Sequence, residues 1–260
     1  MNNIDSSPPL FLKEGAIATI TFNRPQYFNR LHQEDLDHLL ALFQQINEDA
    51  SIRVVVLTAN PNCPHPMFSA GFNIAEFNDD ANSNGHGFER VPDALEVLRP
   101  ITICALNGSV IGGSTDIALA CDFRYGVKGM NLRMPAASIG LHFYASGIQR
   151  YVNRWSLAMA QKAFLTAQTF NDEQLLESGF LDQLLSSEEL LPKVYELAEH
   201  VSLLAPLAVQ GMKKSLNLIT NPAFNLIAVS KLEHQVNQSS DFKEGRLALK
   251  QRRAPLFTGN

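Results

Sequence analysis

The feature that most constrains the fold is the alternation of strand-like and helix-like segments through the first half of the chain. "AIATITFNRP" is rich in Ile and Thr and ends in a turn signal, which predicts a strand. In "QEDLDHLLALFQQINED" the apolar residues recur at helical spacing, which predicts a helix with one face on a sheet. "RVVVLTA" and "ITICALNG" predict two further strands, with a proline-rich loop, "NPNCPHPMFSAGFN", between them. This order indicates an α/β fold with crossover connections.

The second half of the chain has a different pattern. After two short extended pieces, "FRYG" and "NLRM", the segments from Ser156 onward predict helices, with Asn171 and Ser187 as N-caps. These helical segments are "SLAMAQKAFLTA", "NDEQLLES", "SEELLPKVYELAEHVSLLA", "PLAVQGMKKSLNLI" and the segment after Pro222. The C-terminal third is therefore expected to be helical.

Composition excludes several classes of protein. The chain has 260 residues, of which 45% are hydrophobic and 18% charged, so disorder is not expected. The net charge is -5 and no basic stripe is present, which argues against nucleic acid as a partner. The start of the chain lacks signal-peptide character, and no run is long and apolar enough for a membrane span. The three cysteines do not have the spacing of metal ligands. We expect a cytoplasmic location and no metal.

Glycines follow apolar segments just before helices at two places, "FSAGFNI" (68–74) and "VIGGSTDI" (110–117). Such junctions expose amides that have no partner inside the helix, and glycine lets a ligand approach the backbone. Two such amides from different loops could bind an oxygen that becomes negatively charged. Close packing is the alternative explanation for each glycine pair. Neither junction has the spacing of a nucleotide-binding loop, so a nucleotide cofactor is not expected.

Several motifs in fixed order resemble the enoyl-CoA hydratase/isomerase (crotonase) superfamily. They are "ATITFNRPQYFNRL", "VVVLTANP…MFSAGFNIAEF", "ALNGSVIGGSTDIALACDFRYG", "GIQR", "LLESGFLDQLLSSEEL" and "DFKEGRLALKQRRAPLF". The match in order and spacing runs from about residue 10 to residue 257. The resemblance implies a crotonase-like spiral of ββα units in residues 1–200, with a C-terminal helical trimerisation region in residues 201–260. It also implies an acyl-CoA thioester substrate, with coenzyme A only as part of that substrate, and a homotrimer or dimer of trimers.

The resemblance also assigns site residues. The amides of Phe72 and Gly113 would form an oxyanion hole for the thioester carbonyl as it becomes an enolate. Arg252 would reach the CoA phosphate of a neighbouring subunit, unless it is only a solvated charge of the tail. The other residues implied in CoA binding are Asn29, Arg30, Leu31, Ala70, Gly71, Asn73, Ile74 and Gly112.

The chain departs from the family at its acid–base positions. Hydratases of the family use two glutamates, but here the first position is Asp116, which is one methylene shorter, and the second is Ala136, which transfers no proton. Tyr144 and His142 are the nearest candidates to replace the lost glutamate. A related decarboxylase has a tyrosine that aligns nearest to Phe143, one residue away. The Asp116 carboxylate could instead interact favourably with the dipole of its helix, and His142 could be a packing residue.

These observations favour an acyl-CoA enzyme whose chemistry is isomerisation or decarboxylation, in fatty acid metabolism. Both reactions can proceed with an oxyanion hole and at most one acid–base group. Two alternatives stay open. One is an enoyl-CoA hydratase that uses Asp116 alone, and the other is a catalytically inactive acyl-CoA-binding homologue.

Overall fold

A computed structural model describes residues 6–76, 87–220, 235 and 237–260. In these residues ten strands form two sheets, and nine α-helices surround them. The strands are β1 (Leu10–Glu14), β2 (Ile17–Phe22), β3 (Val54–Ala59), β4 (Met67–Ser69), β5 (Ile101–Leu106), β6 (Ser109–Ile111), β7 (Phe123–Val127), β8 (Asn131–Arg133), β9 (Thr169–Asn171) and β10 (Gln183–Leu185). The helices are α1 (Gln33–Glu48), α2 (Arg90–Glu96), α3 (Ser114–Ala120), α4 (Ala145–Arg154), α5 (Leu157–Thr166), α6 (Asp172–Glu177), α7 (Ser187–Ser202), α8 (Pro206–Ile219) and α9 (Ser240–Gln251).

The larger sheet has six strands in the order β1-β2-β3-β5-β7-β10, and the smaller has four in the order β4-β6-β8-β9. Only the outer pairs β1/β2 and β8/β9 are antiparallel among the described strand pairs. The chain repeats one unit three times: a strand in the large sheet, a strand in the small sheet, and a helix. The three units are β3-β4-α2, β5-β6-α3 and β7-β8-α4. The predicted α/β fold is confirmed, and these ββα units form a spiral.

Burial of the central strands explains their composition. All six residues of β3 and all six of β5 are buried, because the strands lie inside the large sheet with helices packed on it. The apolar runs "VVVLTA" and "ITICAL" are what such doubly covered parallel strands require. In α1 the buried side chains recur at the predicted helical spacing and turn toward the core.

Helix starts in the second half are close to those predicted. Asn171 caps α6, and its side chain accepts a hydrogen bond from the Gln174 amide, as predicted. The prediction of Ser187 as a cap is wrong by one residue. Ser186 caps α7 instead, because it forms a capping box with Glu189, in which each side chain bonds the other residue's amide.

Seven of the described strands and helices were not predicted: β1, β4, β6, β9, β10, α2 and α4. The predicted loop "NPNCPHPMFSAGFN" contains the short strand β4, and no helix was predicted over the residues of α2 and α4. Helix α4 contains Gly147, where a Cβ atom would lie 2.4 Å from the Phe143 ring and 2.6 Å from the Tyr144 ring. Glycine is present there because two aromatic rings pack directly on the helix backbone, and this lowers the helical signal.

The C-terminal helices are described in part. Helix α7 lies on the large sheet and runs two residues past the predicted boundary at residue 200, and α8 and α9 follow. The predicted helix after Pro222 falls largely on residues 221–234, which lie outside the described residues. The division at residue 200 and the role of residues 201–260 in trimerisation stay predictions. Within the described ranges, no helix is long and apolar enough to cross a bilayer.

Candidate active site

The two glycine junctions lie side by side. They follow β4 and β6, which are parallel neighbours in the small sheet, so the carboxyl ends of both strands are at the same edge. Gly71 has a φ of 89°, and a Cβ atom there would lie 2.8 Å from the Ile111 carbonyl oxygen and 3.5 Å from the Gly113 nitrogen. Both the positive φ and the close contact with the other junction require glycine at position 71.

Ser69 ties the two junctions together. Its buried hydroxyl lies 2.7 Å from the Ser114 hydroxyl, accepts a hydrogen bond from the Gly71 amide at 3.1 Å, and donates to the Asn29 carbonyl at 2.8 Å. Ser114 is the first residue of α3. One hydroxyl therefore fixes the first junction, the start of α3 and the Asn29 turn relative to one another.

The candidate oxyanion-hole amides both belong to the wall of one cavity. On either side of Phe72, the Leu31 amide donates to the Gly71 carbonyl and the Asn73 amide donates to the Leu31 carbonyl, each at 2.8 Å, which fixes the orientation of this segment. Gly113 is the N-cap of α3, at the end of the helix where amides lack intrahelical acceptors. Phe72 and Gly113 line a cavity of about 770 Å³.

The cavity is mostly apolar. Its other lining residues are Ala70, Gly71, Ile74, Phe88, Glu89, Ile111, Gly112, Met134, Pro135, Ala136, Ile139, Leu141, His142, Phe143, Tyr144, Ala145, Ile148 and Gln149. The Phe88 ring covers Gly113, where a Cβ atom would lie 2.6 Å from ring carbons. The same ring is 5.8 Å from the Phe72 ring and 6.3 Å from the Tyr144 ring, centre to centre. Such a volume and lining suit a small or medium organic group rather than a polar chain.

Asp116 lies behind this wall in a network of charges. It is fully buried, accepts a hydrogen bond at 2.6 Å from the Tyr144 hydroxyl through Oδ2, and forms an ion pair with Arg150 through the same oxygen. Arg150 is 2% exposed and also contacts Asp93 at 2.6 Å and Glu96 at 3.2 Å. The other oxygen of Asp116, Oδ1, has no hydrogen-bond partner among the described residues.

Burial dominates the titration of this network. It raises the pKa of Asp116, an effect that the Arg150 charge and the Tyr144 hydrogen bond oppose. Burial, followed by the nearby Asp116 charge, raises the pKa of Tyr144 well above its usual value. Burial lowers the pKa of Arg150, but the nearby charges of Asp116 and Glu96 raise it by more, so the pKa of Arg150 is raised overall. Tyr144 therefore keeps its proton at neutral pH and directs it at Asp116.

The remaining acid–base candidates lie elsewhere on the wall. Ala136 is 4% exposed and lines the cavity, so a methyl group stands at the position where the resemblance predicts the family's second glutamate. His142 is exposed at the cavity's rim, with Nδ1 2.8 Å from the Phe143 carbonyl oxygen. Phe143 is buried, and its ring stacks on that of Tyr144 at 4.1 Å.

The residues predicted to bind CoA surround one side of the site. Asn29 is 1% exposed, and its side-chain amide donates to the Asn60 and Met67 carbonyls, so it braces the turn from within. The Arg30 guanidinium lies over the Tyr27 ring at 5.5 Å. Asn73 donates to Glu76 at 2.7 Å.

The other predicted CoA contacts fall into two groups. Ala70, Gly71, Ile74 and Gly112 line the cavity, and Leu31 is paired with Phe72. Arg252 is exposed just after α9, with a φ of 53°, and is not among the described lining residues. All assignments of these residues to CoA stay predictions.

Sequence reasoning missed Phe88, Glu89 and Ser69, and it gave Arg150 no role beyond its place in the "GIQR" motif. No periodic pattern surrounds Phe88 and Glu89, which precede the short helix α2, so only their position in the folded chain reveals them. Within the described residues there is no group of three or more His, Cys, Asp and Glu side chains able to hold a metal ion.

Comparison with known proteins gives a consistent match. A family model described as enoyl-CoA hydratase/isomerase matches residues 13–260. YngF of Bacillus subtilis is 30% identical over 254 residues, which cover 95% of this chain and 96% of that protein. A short-chain-enoyl-CoA hydratase of Clostridium acetobutylicum is 29% identical over 209 residues, which cover 79% of each chain.

Solved structures match the whole fold. The crystal structure of an enoyl-CoA hydratase from Bacillus anthracis superposes with a TM-score of 0.87 at 26% identity, and the match covers 98% of this chain and 100% of that one. The match includes the two sheets and the helices that build the cavity.

Proposed function

Because this chain belongs to the enoyl-CoA hydratase/isomerase family, we propose that it binds an acyl-CoA thioester and stabilises its enolate with the amides of Phe72 and Gly113. The acyl group occupies the apolar cavity, and the CoA part lies along the Asn29–Leu31 turn and residues 72–75. Coenzyme A enters only as part of the substrate. Two amides that converge on one oxygen from separate loops lower the energy of the enolate more than that of the neutral thioester.

The reaction that this site supports best is isomerisation of a double bond or loss of a carboxylate next to the thioester. The observation that carries the proposal is the state of the two family glutamate positions. Ala136 offers no proton, and Asp116 is bound by Arg150 and Tyr144 behind the wall. Hydration needs groups that position a water molecule and move its protons, whereas isomerisation needs a stabilised enolate and one acid–base group, and decarboxylation needs the stabilised enolate alone.

A hydratase that uses Asp116 alone is less well supported. Oδ2 of Asp116 is already bound to Tyr144 and Arg150, and Asp116 is not among the described residues that line the cavity. Freeing Asp116 would leave the buried Arg150 charge with one carboxylate fewer, which costs free energy.

An inactive acyl-CoA binder is less well supported for a different reason. The glycines that bring the two amides together are retained, together with the Ser69 bonds that hold them. A protein that only binds an acyl-CoA does not need amides aimed at the thioester oxygen.

The test is turnover of three thioesters by the purified protein: a 2-enoyl-CoA, a 3-enoyl-CoA and a malonyl-type CoA. We expect the 3-enoyl or the malonyl-type substrate to be consumed at least tenfold faster than the 2-enoyl substrate is hydrated. Faster hydration of the 2-enoyl-CoA would overturn the proposed reaction. Binding of all three without turnover would support the inactive binder.

We also propose a homotrimer or a dimer of trimers. Helices α8 and α9 carry apolar side chains that are exposed in the single chain, and such a patch is typical of a subunit contact. These side chains include Met212, Leu216, Ile219, Phe242 and Leu247. Light scattering after size-exclusion chromatography should give three or six times the 28.8 kDa mass of the chain. A mass of one chain would contradict the proposal.

A further inference from the structure

Glu89 places an acidic residue on the cavity wall. Among the described lining residues the only acidic side chain is that of Glu89, which is half-buried and directly precedes α2. Its neighbour Phe88 lies against Gly113, so the chain reaches the oxyanion-hole side of the cavity one residue before Glu89. Glu89 is therefore carried on the same wall as one of the two candidate oxyanion amides.

The Glu89 carboxylate also differs from the other acidic groups near the site. Asp116, Asp93 and Glu96 are all bound to Arg150. The side chain of Glu89 has no hydrogen bond or ion pair within residues 6–76, 87–220, 235 and 237–260. A carboxylate without a partner beside an apolar cavity is available to accept a proton from a bound substrate.

We propose that Glu89 is the catalytic base and acid of this site and takes the place of the glutamate lost at Ala136. This assignment rests on the proposed function. With a 3-enoyl thioester, the Glu89 carboxylate takes a proton from C2, and the electron pair of the broken C–H bond forms the enolate whose oxygen the amides of Phe72 and Gly113 bind. The same proton returns to C4, which gives the 2-enoyl thioester and restores the carboxylate. No other reactant is consumed.

The assignment separates two reactions at one site. Isomerisation breaks a C–H bond and needs a base, whereas decarboxylation of a malonyl-type thioester forms the enolate without one. Glu89 should therefore matter far more for the first reaction than for the second. Tyr144, whose proton is directed at Asp116, is not required as the base in either reaction.

The experiment compares the unmodified protein with Glu89→Gln, Glu89→Asp and Glu177→Gln. Glu177 is an exposed glutamate at the end of α6 and provides the matched control. For Glu89→Gln we expect kcat for 3-enoyl-CoA isomerisation to fall about 10²- to 10⁴-fold, with KM within about threefold and an unchanged melting temperature. Glu89→Asp should regain part of the rate, and Glu177→Gln should behave as the unmodified protein.

Two further measurements show whether the loss of rate comes from loss of proton transfer by Glu89. The fall of kcat/KM at acid pH, which reports protonation of one carboxylate, should be absent from the residual activity of Glu89→Gln. Exchange of the C2 proton in D₂O, followed by NMR on a saturated acyl-CoA, should stop in the same variant. Loss of activity with a lowered melting temperature and a raised KM would assign Glu89 a structural role and overturn the proposal.

The outcomes also distinguish this assignment from the proposed function. Unchanged isomerisation and proton exchange in Glu89→Gln, in a protein that Gly71→Ala inactivates, would overturn the role of Glu89 and leave the oxyanion hole standing. Absence of isomerisation, decarboxylation and C2 exchange in the unmodified protein would overturn both.

Discussion

The cavity has two walls of different construction. One is made of backbone from the junctions after β4 and β6, held by Gly71 and by the Ser69 hydroxyl. The other is made of side chains, from Met134 to Gln149 with Phe88 and Glu89. Under the proposed function, the backbone wall supplies the amides that stabilise the enolate, whereas the side-chain wall has Ala136 where the family resemblance predicts a glutamate. The proposed function therefore assigns binding of the thioester oxygen and choice of reaction to different parts of the site.

The comparison also shows why one wall tolerates change. An amide is present whatever the side chain, so the backbone wall depends on chain geometry and on a few glycines and serines. A proton-transferring group on the other wall depends on one residue type in one place. Replacement of glutamate by alanine removes the chemistry and leaves the fold intact, since a buried methyl group fits an apolar wall.

The largest effect is expected from damage to the backbone wall. In Gly71→Ala the new Cβ would lie 2.8 Å from the Ile111 carbonyl oxygen, so the two junctions must separate. Loss of one oxyanion-hole donor costs about 10²- to 10³-fold in rate, and we expect kcat to fall by that amount for every substrate that is turned over.

The matched control is Gly129→Ala. Gly129 has a similar φ of 82°, but nothing lies within 4 Å of its Cβ position, so this variant carries the backbone strain without the contact. It should lose stability while retaining its activity. Equal loss of activity in both variants would show that strain, and not the arrangement of the amides, explains the effect.

The second largest effect is expected behind the side-chain wall. Arg150→Met leaves Asp116 buried without its cation, which should lower the free energy of unfolding by about 3–5 kcal/mol in urea titrations. Without Arg150, burial keeps the pKa of Asp116 in the folded state above its value in the unfolded state. Protonated Asp116 therefore stabilises the fold at a pH below the unfolded-state pKa, and this stabilisation is lost as the pH rises through the folded-state pKa. The deficit should therefore grow as the pH rises above the unfolded-state pKa of Asp116.

A double variant isolates this pair. Arg150→Met combined with Asp116→Leu removes both charges, and we expect it to recover most of the lost stability at neutral pH. A double variant no more stable than Arg150→Met would mean that Asp93 and Glu96, rather than Asp116, are the partners that matter.

A smaller effect is expected at Tyr144. Tyr144→Phe removes the hydroxyl that donates to Asp116 and should lower stability by about 1.5–3 kcal/mol, the usual range for a hydrogen bond to a charged group. Because the proposed base is Glu89, kcat should fall less than about tenfold, as measured by steady-state kinetics. A fall of a hundredfold at unchanged stability would instead make Tyr144 the acid–base group.

The smallest effect is expected at His142. Its ring is exposed at the rim and contacts a backbone carbonyl, so His142→Ala should reduce kcat/KM by about two- to threefold through greater access of water to the cavity. Unfolding should shift by no more than about 0.5 kcal/mol. A hundredfold loss of kcat would place His142 in the chemistry and contradict the division between the two walls.

Part of the order of the elements could be predicted from the sequence because apolar periodicity and turn residues are local signals. They gave β2, α1, β3, β5 and α3 close to their observed bounds. Helix α4 was not predicted because Gly147, which is present to let two aromatic rings pack on the helix, weakens the helical pattern. The cap of α7 was placed one residue too late because Ser186 and Ser187 are adjacent.

The site could be predicted only in part for a related reason. The glycines at 71, 112 and 113 stand in recognisable junctions, but the partners of Asp116 come from α4 and from its N-cap residue, more than 25 residues away along the chain. Sequence spacing does not reveal that Arg150 and Tyr144 both reach the same oxygen. Glu89 has no pattern around it, and only the fold brings it to the cavity.

Under the proposed function, the site stabilises an enolate without the pair of glutamates that hydratases use. The direct test is mass spectrometry of the products that the unmodified protein forms from 2-enoyl- and 3-enoyl-CoA in H₂¹⁸O. We expect conversion of the 3-enoyl to the 2-enoyl thioester with no ¹⁸O in the acyl group, and little labelled 3-hydroxyacyl product from the 2-enoyl substrate. Rapid accumulation of ¹⁸O-labelled 3-hydroxyacyl-CoA from the 2-enoyl substrate would contradict it.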